Sequence, residues 1–205
     1  MIVDAGKRHT FTLPVRGTGA FAKRGAGECV FVPGREYRGN VTNELGFVTA
    51  GWSGLSTVEE GTLTLVAGAA TNTLAVKVMD GAVLQVDGAQ TIGAVSGAGT
   101  VRGAGTTPVA LGCRVSVPWN EPEADVPTFE NVSLSRMKID FNVPEDMTYP
   151  EGMTLPVARL GANVTTDIST WRSVRAGRHH VAKFTQTGDL VSAEIRLTGC
   201  TLIVR

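Results

Sequence analysis

Along the chain, apolar residues recur in short alternating runs closed by glycine, and almost nowhere at the three-and-four spacing that a helix needs over ten or more positions. The pattern predicts very little helix. The clearest runs are Glu28-Cys29-Val30-Phe31-Val32-Pro33-Gly34, Gly61-Thr62-Leu63-Thr64-Leu65-Val66-Ala67-Gly68, Thr73-Leu74-Ala75-Val76-Lys77-Val78 and Gly81-Ala82-Val83-Leu84-Gln85-Val86-Asp87-Gly88, each read as one strand. Gly61 and Gly68 recur as Gly81 and Gly88, twenty positions further on. A period of that length is typical of a solenoid, in which each coil is too small to bury its own apolar face and must stack on the next. Glycines at the corners allow the positive φ values that sharp turns need. Leu63 and Leu65 are the inward candidates of the first run, Leu84 and Val86 of the second. Their spacing differs from that of the glycines by one residue, so the pattern alone leaves the register open.

Further on, Ile92-Gly93-Ala94-Val95-Ser96-Gly97-Ala98-Gly99-Thr100-Val101-Arg102-Gly103-Ala104-Gly105 reads either as a linker or, because Ile92, Val95 and Val101 are interspersed, as very short strands in tight coils. We expect the strands. The composition changes at Pro118-Trp119-Asn120-Glu121-Pro122-Glu123-Ala124-Asp125-Val126-Pro127, which is acidic, proline-rich and free of glycine, and reads as an exposed loop or boundary. Beyond it longer runs cover Val132 to Val143, Met153 to Leu160, Val181 to Phe184, Leu190 to Leu197 and Thr201 to Val204, with a hairpin turn at Gln186-Thr187-Gly188-Asp189. The expected architecture is all-β: a solenoid-like stack over residues 1–117, a loop at 118–127, and an antiparallel cap over 128–205 that covers the open end of the stack.

Composition narrows the functional field. Glycine makes up 25 of 205 residues, well above the roughly 7% usual in globular chains, while aromatics are only 6%, which suits many turns around a thin core. Nineteen basic residues balance nineteen acidic ones, so no net field draws the chain to nucleic acid or to an anionic membrane. No apolar run is long enough to span a membrane as a helix. The start, Met1-Ile2-Val3-Asp4-Ala5-Gly6-Lys7, lacks the layout of a signal peptide. We expect a piece of a longer exported protein. Cys29, Cys113 and Cys200 are too few and too far apart for a disulfide scaffold and form no Cys-x-x-Cys pair. They read as buried small apolar residues, with one disulfide and a leftover thiol as the alternative.

The segment Lys23-Arg24-Gly25-Ala26-Gly27-Glu28-Cys29-Val30-Phe31-Val32-Pro33-Gly34-Arg35-Glu36-Tyr37-Arg38-Gly39, a Lys-x-Gly-x-Gly step followed by a strand and Tyr-x-Gly, resembles the autotransporter-associated β-strand repeat. Glu60-Gly61-Thr62-Leu63-Thr64-Leu65 is similar to the strand that closes that unit, and Gly81 to Gly88 and Ser96-Gly97-Ala98-Gly99-Thr100-Val101 are further matches. About half the chain is covered. The resemblance implies a right-handed parallel β-helix on the surface of a Gram-negative bacterium or secreted by it, and it says little about activity.

The chemistry-bearing residues are sparse. No Gly-x-x-x-x-Gly-Lys-Ser/Thr loop is present, and Gly97-Ala98-Gly99 has Arg102 where a dinucleotide fingerprint needs its third glycine. The histidines are His9, His179 and His180, with no Gly-x-Ser-x-Gly elbow, so a serine hydrolase is not indicated. No cofactor or metal site is expected. Glu59-Glu60, Glu121, Glu123, Asp125, Glu145-Asp146 and Asp189 could in principle supply the paired carboxyls of a glycosidase, but they mostly lie beside Gly or Pro in predicted turns and read as solvated loop groups. Trp52, Trp119 and Trp171 lie in loop-like or strand-edge contexts, where an indole can either stack on a sugar ring or pack as a lid over the coil ends. Asn40-Val41-Thr42, Asn131-Val132-Ser133 and Asn163-Val164-Thr165 match the N-glycosylation sequon and read as coincidences in a bacterial protein. The leading expectation is a non-catalytic structural or adhesive module, extracellular or at the cell surface, with extracellular glycans or other surface proteins as partners. The alternative is a carbohydrate-binding module using the tryptophans, and the third reading is a carbohydrate-active enzyme.

Overall fold

The structure, a computed structural model, describes residues 1–11, 19–32, 54–69, 74–135, 137–144, 153–177 and 180–197. The described chain is all-β. Its strands are β1 (Arg8–Phe11), β2 (Phe21–Lys23), β3 (Glu28–Phe31), β4 (Leu55–Val58), β5 (Thr62–Val66), β6 (Ala75–Val78), β7 (Val83–Asp87), β8 (Gln90–Ser96) and β9 (Thr100–Gly103). They continue with β10 (Val109–Ser116), β11 (Thr128–Glu130), β12 (Val132–Leu134), β13 (Lys138–Asp140), β14 (Thr154–Leu160), β15 (Thr165–Thr166), β16 (Arg172–Val174), β17 (His180–Thr187) and β18 (Leu190–Leu197). One turn of 3-10 helix, Ile168–Thr170, interrupts them. The run from Ile92 to Gly105 forms strands, as its interspersed apolar residues predict, whereas Thr201 to Val204 lies outside the described residues.

Two open sheets of nine strands each share these elements. The first has the order β1-β3-β5-β7-β9-β11-β14-β18-β17 and the second β15-β12-β10-β8-β6-β4-β2, with β13 and β16 extending it beside β10. Up to β12, therefore, the chain passes from one sheet to the other at each new strand. The pairings from β1 to β14 in the first sheet, and all those of the second, are parallel. The direction reverses at β18, which runs antiparallel to β14 and to β17. Thr187 pairs with Leu190 across the hairpin predicted at Gln186-Thr187-Gly188-Asp189.

Parallel in-register pairing turns the inward residues into columns. Cys29, Leu63, Leu84, Val101 and Phe129 follow one another across the first sheet, and Phe31, Leu65 and Val86 run beside them. Ser56, Val76, Val95, Val115 and Ile139 make the facing column of the second sheet. All of these are at most 1% exposed, and the apolar ones belong to a single hydrophobic cluster. The register left open by the sequence is thus Leu63 on Leu84 and Leu65 on Val86. One residue separates Gly61 from Leu63 but two separate Gly81 from Leu84. The extra residue is absorbed in the turn, so the strands stay aligned while the glycines do not.

The corners explain the glycines. Gly61, Gly68, Gly81, Gly88 and Gly97 all have positive φ, where a side chain is strained. At Gly97 a Cβ would in addition overlap the carbonyl oxygen of Val78, whereas at Gly81 it would meet nothing within 4 Å. The Lys-x-Gly-x-Gly corner has a further device. Lys23 is fully buried, and its ammonium donates to the carbonyls of Arg24, Gly25 and Glu60, so the buried charge is satisfied by backbone acceptors of the corner. Burial nevertheless holds its pKa below the ordinary lysine value, opposed by the nearby Cys29 and Glu60.

Gly97→Ala and Gly81→Ala separate backbone strain from steric overlap. Urea unfolding is expected to show a loss of about 1 kcal/mol or less for Gly81→Ala, and of roughly 3 kcal/mol or more for Gly97→Ala, whose side chain has no space. Equal losses would contradict the close approach at Gly97.

Candidate functional site

The connection from β10 to β11 is the proline-rich segment, and the alternation within β10 decides where it starts. Leu111, Cys113 and Val115 point inward, Arg114 and Ser116 outward, and Val117 turns back into the core. Pro118 then takes the chain out of the sheet, since it has no N–H to continue the ladder. Trp119, next in sequence, is half-buried and packs against the core cluster, while Asn120, Glu121, Glu123 and Asp125 are exposed.

This segment overhangs the outer face of the second sheet and encloses a cleft of about 660 Å3. Its floor is a row of outward polar residues on successive strands. Lys77 pairs with Ser96, Val95 pairs with Val115 so that Ser96 and Ser116 are side by side, and Ser116 pairs with Asp140. Its walls are Trp119 and Glu121 on the loop, Asp80 from the turn after β6, and Asn142 and Arg175 beyond β13 and β16. A second cleft of about 490 Å3 lies on the other side of the loop, between Glu123 and Arg159. A larger groove of about 740 Å3 over β8 and β10 is lined mainly by Gly93, Ala110, Gly112 and neighbouring small residues, with Arg114 and Lys138 as its charges.

Asp140 anchors the far end of the floor. It occupies an outward position yet is only 1% exposed, because two arginines close over it. Arg175 donates through Nε to Oδ1 (2.9 Å) and through a terminal nitrogen to Oδ2, Arg114 reaches Oδ2 at 3.3 Å, and the backbone N–H of Asn142 donates to Oδ1 at 3.0 Å. The carboxylate in turn raises the pKa of Arg175. Arg175 and Asn142 both have φ near +50°. Sequence reasoning passed over Asp140. The available signal was an acid between Ile139 and Phe141 in a strand-like run.

The two described tryptophans, Trp119 and Trp171, do not form one exposed platform. Trp52 lies outside the described residues. Trp171 is 2% exposed, donates through Nε1 to Thr166 Oγ1 at 3.0 Å, and meets Phe184 edge-on with ring centroids 5.9 Å apart. Of the two described tryptophans, Trp119 is the one that borders the cleft beneath the loop. Among the acids, Glu59 is paired with Arg24 and Asp189 with Arg159 on the surface, and Glu145-Asp146 lies outside the described residues. His9 sits edge-on to Phe11 on the exposed strand β1, His180 opens β17, and His179 is outside the described residues. Among the described residues no three His, Cys, Asp or Glu side chains gather as a metal site.

Two sequon-like strings have a physical explanation. Asn131 and Asn163 stand at successive corners with φ of 51° and 57°. The Asn131 amide donates to the carbonyls of Gly103 and Gly105, both at 3.0 Å, and Asn163 Nδ2 donates to Asn131 Oδ1. Ser133 pairs with Thr165 one strand further on. Asn-Val-Ser and Asn-Val-Thr are therefore the same structural position occurring twice, an asparagine ladder at a corner. Asn tolerates this left-handed conformation better than most residues.

Cys29 and Cys113 are both free and buried. Their thiols lie 3.8 Å from Met1 Sδ and 3.7 Å from Met137 Sδ, and burial pushes their pKa values up to about 11 and about 12. Thiolate is the reactive form, so both are protonated and inert at neutral pH. Cys200 lies outside the described residues. In comparisons with known proteins, no family model, no curated protein and no solved structure matches the chain.

In a Cys200→Ser background, iodoacetamide at pH 8 is expected to leave Cys29 and Cys113 unmodified in the folded protein and to alkylate both in denaturant, as read by intact mass. Rapid alkylation of either without denaturant would contradict its burial.

Proposed function

We propose that the chain is a segment of a right-handed parallel β-solenoid and acts as a non-catalytic structural or adhesive module of a bacterial surface or secreted protein. The observation that carries this reading is the regular passage of the chain between two parallel sheets whose inward residues stack in columns from Cys29 to Phe129. In a solenoid, each coil takes its stability from its neighbours. Seven parallel strands at the usual spacing of about 4.8 Å would give a stiff body roughly 30 Å long in the first sheet.

The hairpin of β17 and β18 supports the reading of an end cap. By reversing direction it breaks off the parallel pairing, and it folds toward the second sheet, where Ala182 N donates to Ser173 Oγ and Phe184 meets Trp171. The reversal ends the run of parallel pairing along which further coils would stack. The corner Lys23-Arg24-Gly25-Ala26-Gly27 supports the resemblance to the autotransporter-associated β-strand repeat, since both its lysine and its glycines have physical work in turning the chain. Handedness and cell-surface location rest on that resemblance.

Protease added to intact cells of the source organism is expected to degrade the protein, or an antibody against the chain to recover it from the culture medium. Protection until the cells are lysed, with none in the medium, would contradict an exported module.

A further inference from the structure

The cleft beneath the 117–127 loop has a composition that the mechanical reading does not use. We propose that it binds an uncharged oligosaccharide, lying along the row Lys77–Ser96–Ser116 with a sugar ring against Trp119.

Four observations carry this. First, the cleft combines one aromatic ring with side chains of mixed hydrogen-bonding character: the hydroxyls of Ser96 and Ser116, the amide of Asn120, the carboxylate of Glu121 and the ammonium of Lys77. A sugar has an apolar C–H face and hydroxyls that both donate and accept, which matches an indole bordered by such groups. Second, the volume of about 660 Å3 lies within the range of small-ligand sites. Third, the floor residues repeat at the strand spacing of about 4.8 Å, comparable to the length of one pyranose ring. Successive sugar units can thus meet successive strands.

Fourth, the charge balance selects against acidic ligands. Asp80, Glu121 and Asp125 line the cleft against Lys77 and Arg175, and Arg175 is committed to Asp140. A sulfated or uronic-acid glycan, or a phosphate, would meet net repulsion. A peptide adding itself as a strand is disfavoured for a different reason. The floor belongs to β6, β8 and β10, each of which is already paired on both sides, so no backbone edge is offered.

The test is a glycan array probed with the full chain, carrying cello-, chito-, manno- and xylo-oligosaccharides beside sulfated and uronic-acid glycans. Calorimetric titration with the best uncharged binder follows. Uncharged oligosaccharides are expected to bind. Trp119→Ala should weaken binding about tenfold, the size of one aromatic stacking contact, and Ser96→Phe should abolish it by filling the floor. Ser96 is an outward residue, so Ser96→Phe keeps the test valid if Trp119→Ala fails to fold, with thermal unfolding checked for both. Binding of acidic glycans in preference, no uncharged binder at millimolar concentration, or undiminished binding to a folded Ser96→Phe variant would each overturn the proposal.

Discussion

The fold depends on in-register contact between like positions of successive parallel strands. Leu63 lies on Leu84 and Leu84 on Val101, so each apolar side chain is covered by its counterparts as well as by the opposite sheet. A core of this kind needs few aromatic residues. Every member of the columns is close to fully buried. The arrangement also makes the strands mutually dependent, because removing one exposes the apolar face of the next.

Keeping the columns aligned puts the burden on the corners. Backbone there passes within contact distance of the preceding turn, and three kinds of residue solve the resulting problem. Glycine accepts positive φ and leaves room for a neighbouring carbonyl, as Gly97 does against Val78. Asn131 and Asn163 accept the same conformation and add side-chain hydrogen bonds, Asn131 to carbonyls of the turn below and Asn163 to the Asn131 side chain. Lys23 reaches three carbonyls from inside the core. Where the chain abandons a tight corner, between β10 and β11, the excess residues form the overhanging loop, and it is there that a cleft arises. The floor of that cleft inherits its regular spacing from the same register that orders the core.

Much of the strand pattern was legible in the chain because alternation and glycine placement are local. The runs around Leu63, Val76 and Leu84 each became a strand, and the turn at Gln186 to Asp189 became a hairpin. Register was not legible, since a single residue absorbed in the Gly81 turn shifts glycines and side chains differently. The corner asparagines read as coincidental sequons in the sequence because a left-handed residue leaves no mark in hydropathy. Asp140 escaped notice for a related reason: its partners come from β10 (Arg114) and from the turn after β16 (Arg175), and only the fold brings them to one carboxylate. Likewise nothing local distinguishes Trp171, held against Phe184 and Thr166, from Trp119, which borders a cleft.

Cross-linking tests the in-register parallel stacking most directly. Gln85 and Arg102 are outward neighbours on β7 and β9, seventeen residues apart in sequence and directly paired, within the separation a disulfide spans. Lys77, nearer to Gln85 in sequence, lies on the other sheet. With Cys200 replaced by serine, oxidation of Gln85→Cys/Arg102→Cys is expected to give an intramolecular disulfide in folded protein, and Gln85→Cys/Lys77→Cys none. A disulfide in the second pair but not in the first would contradict the register on which the columns, the corners and the floor of the cleft all depend.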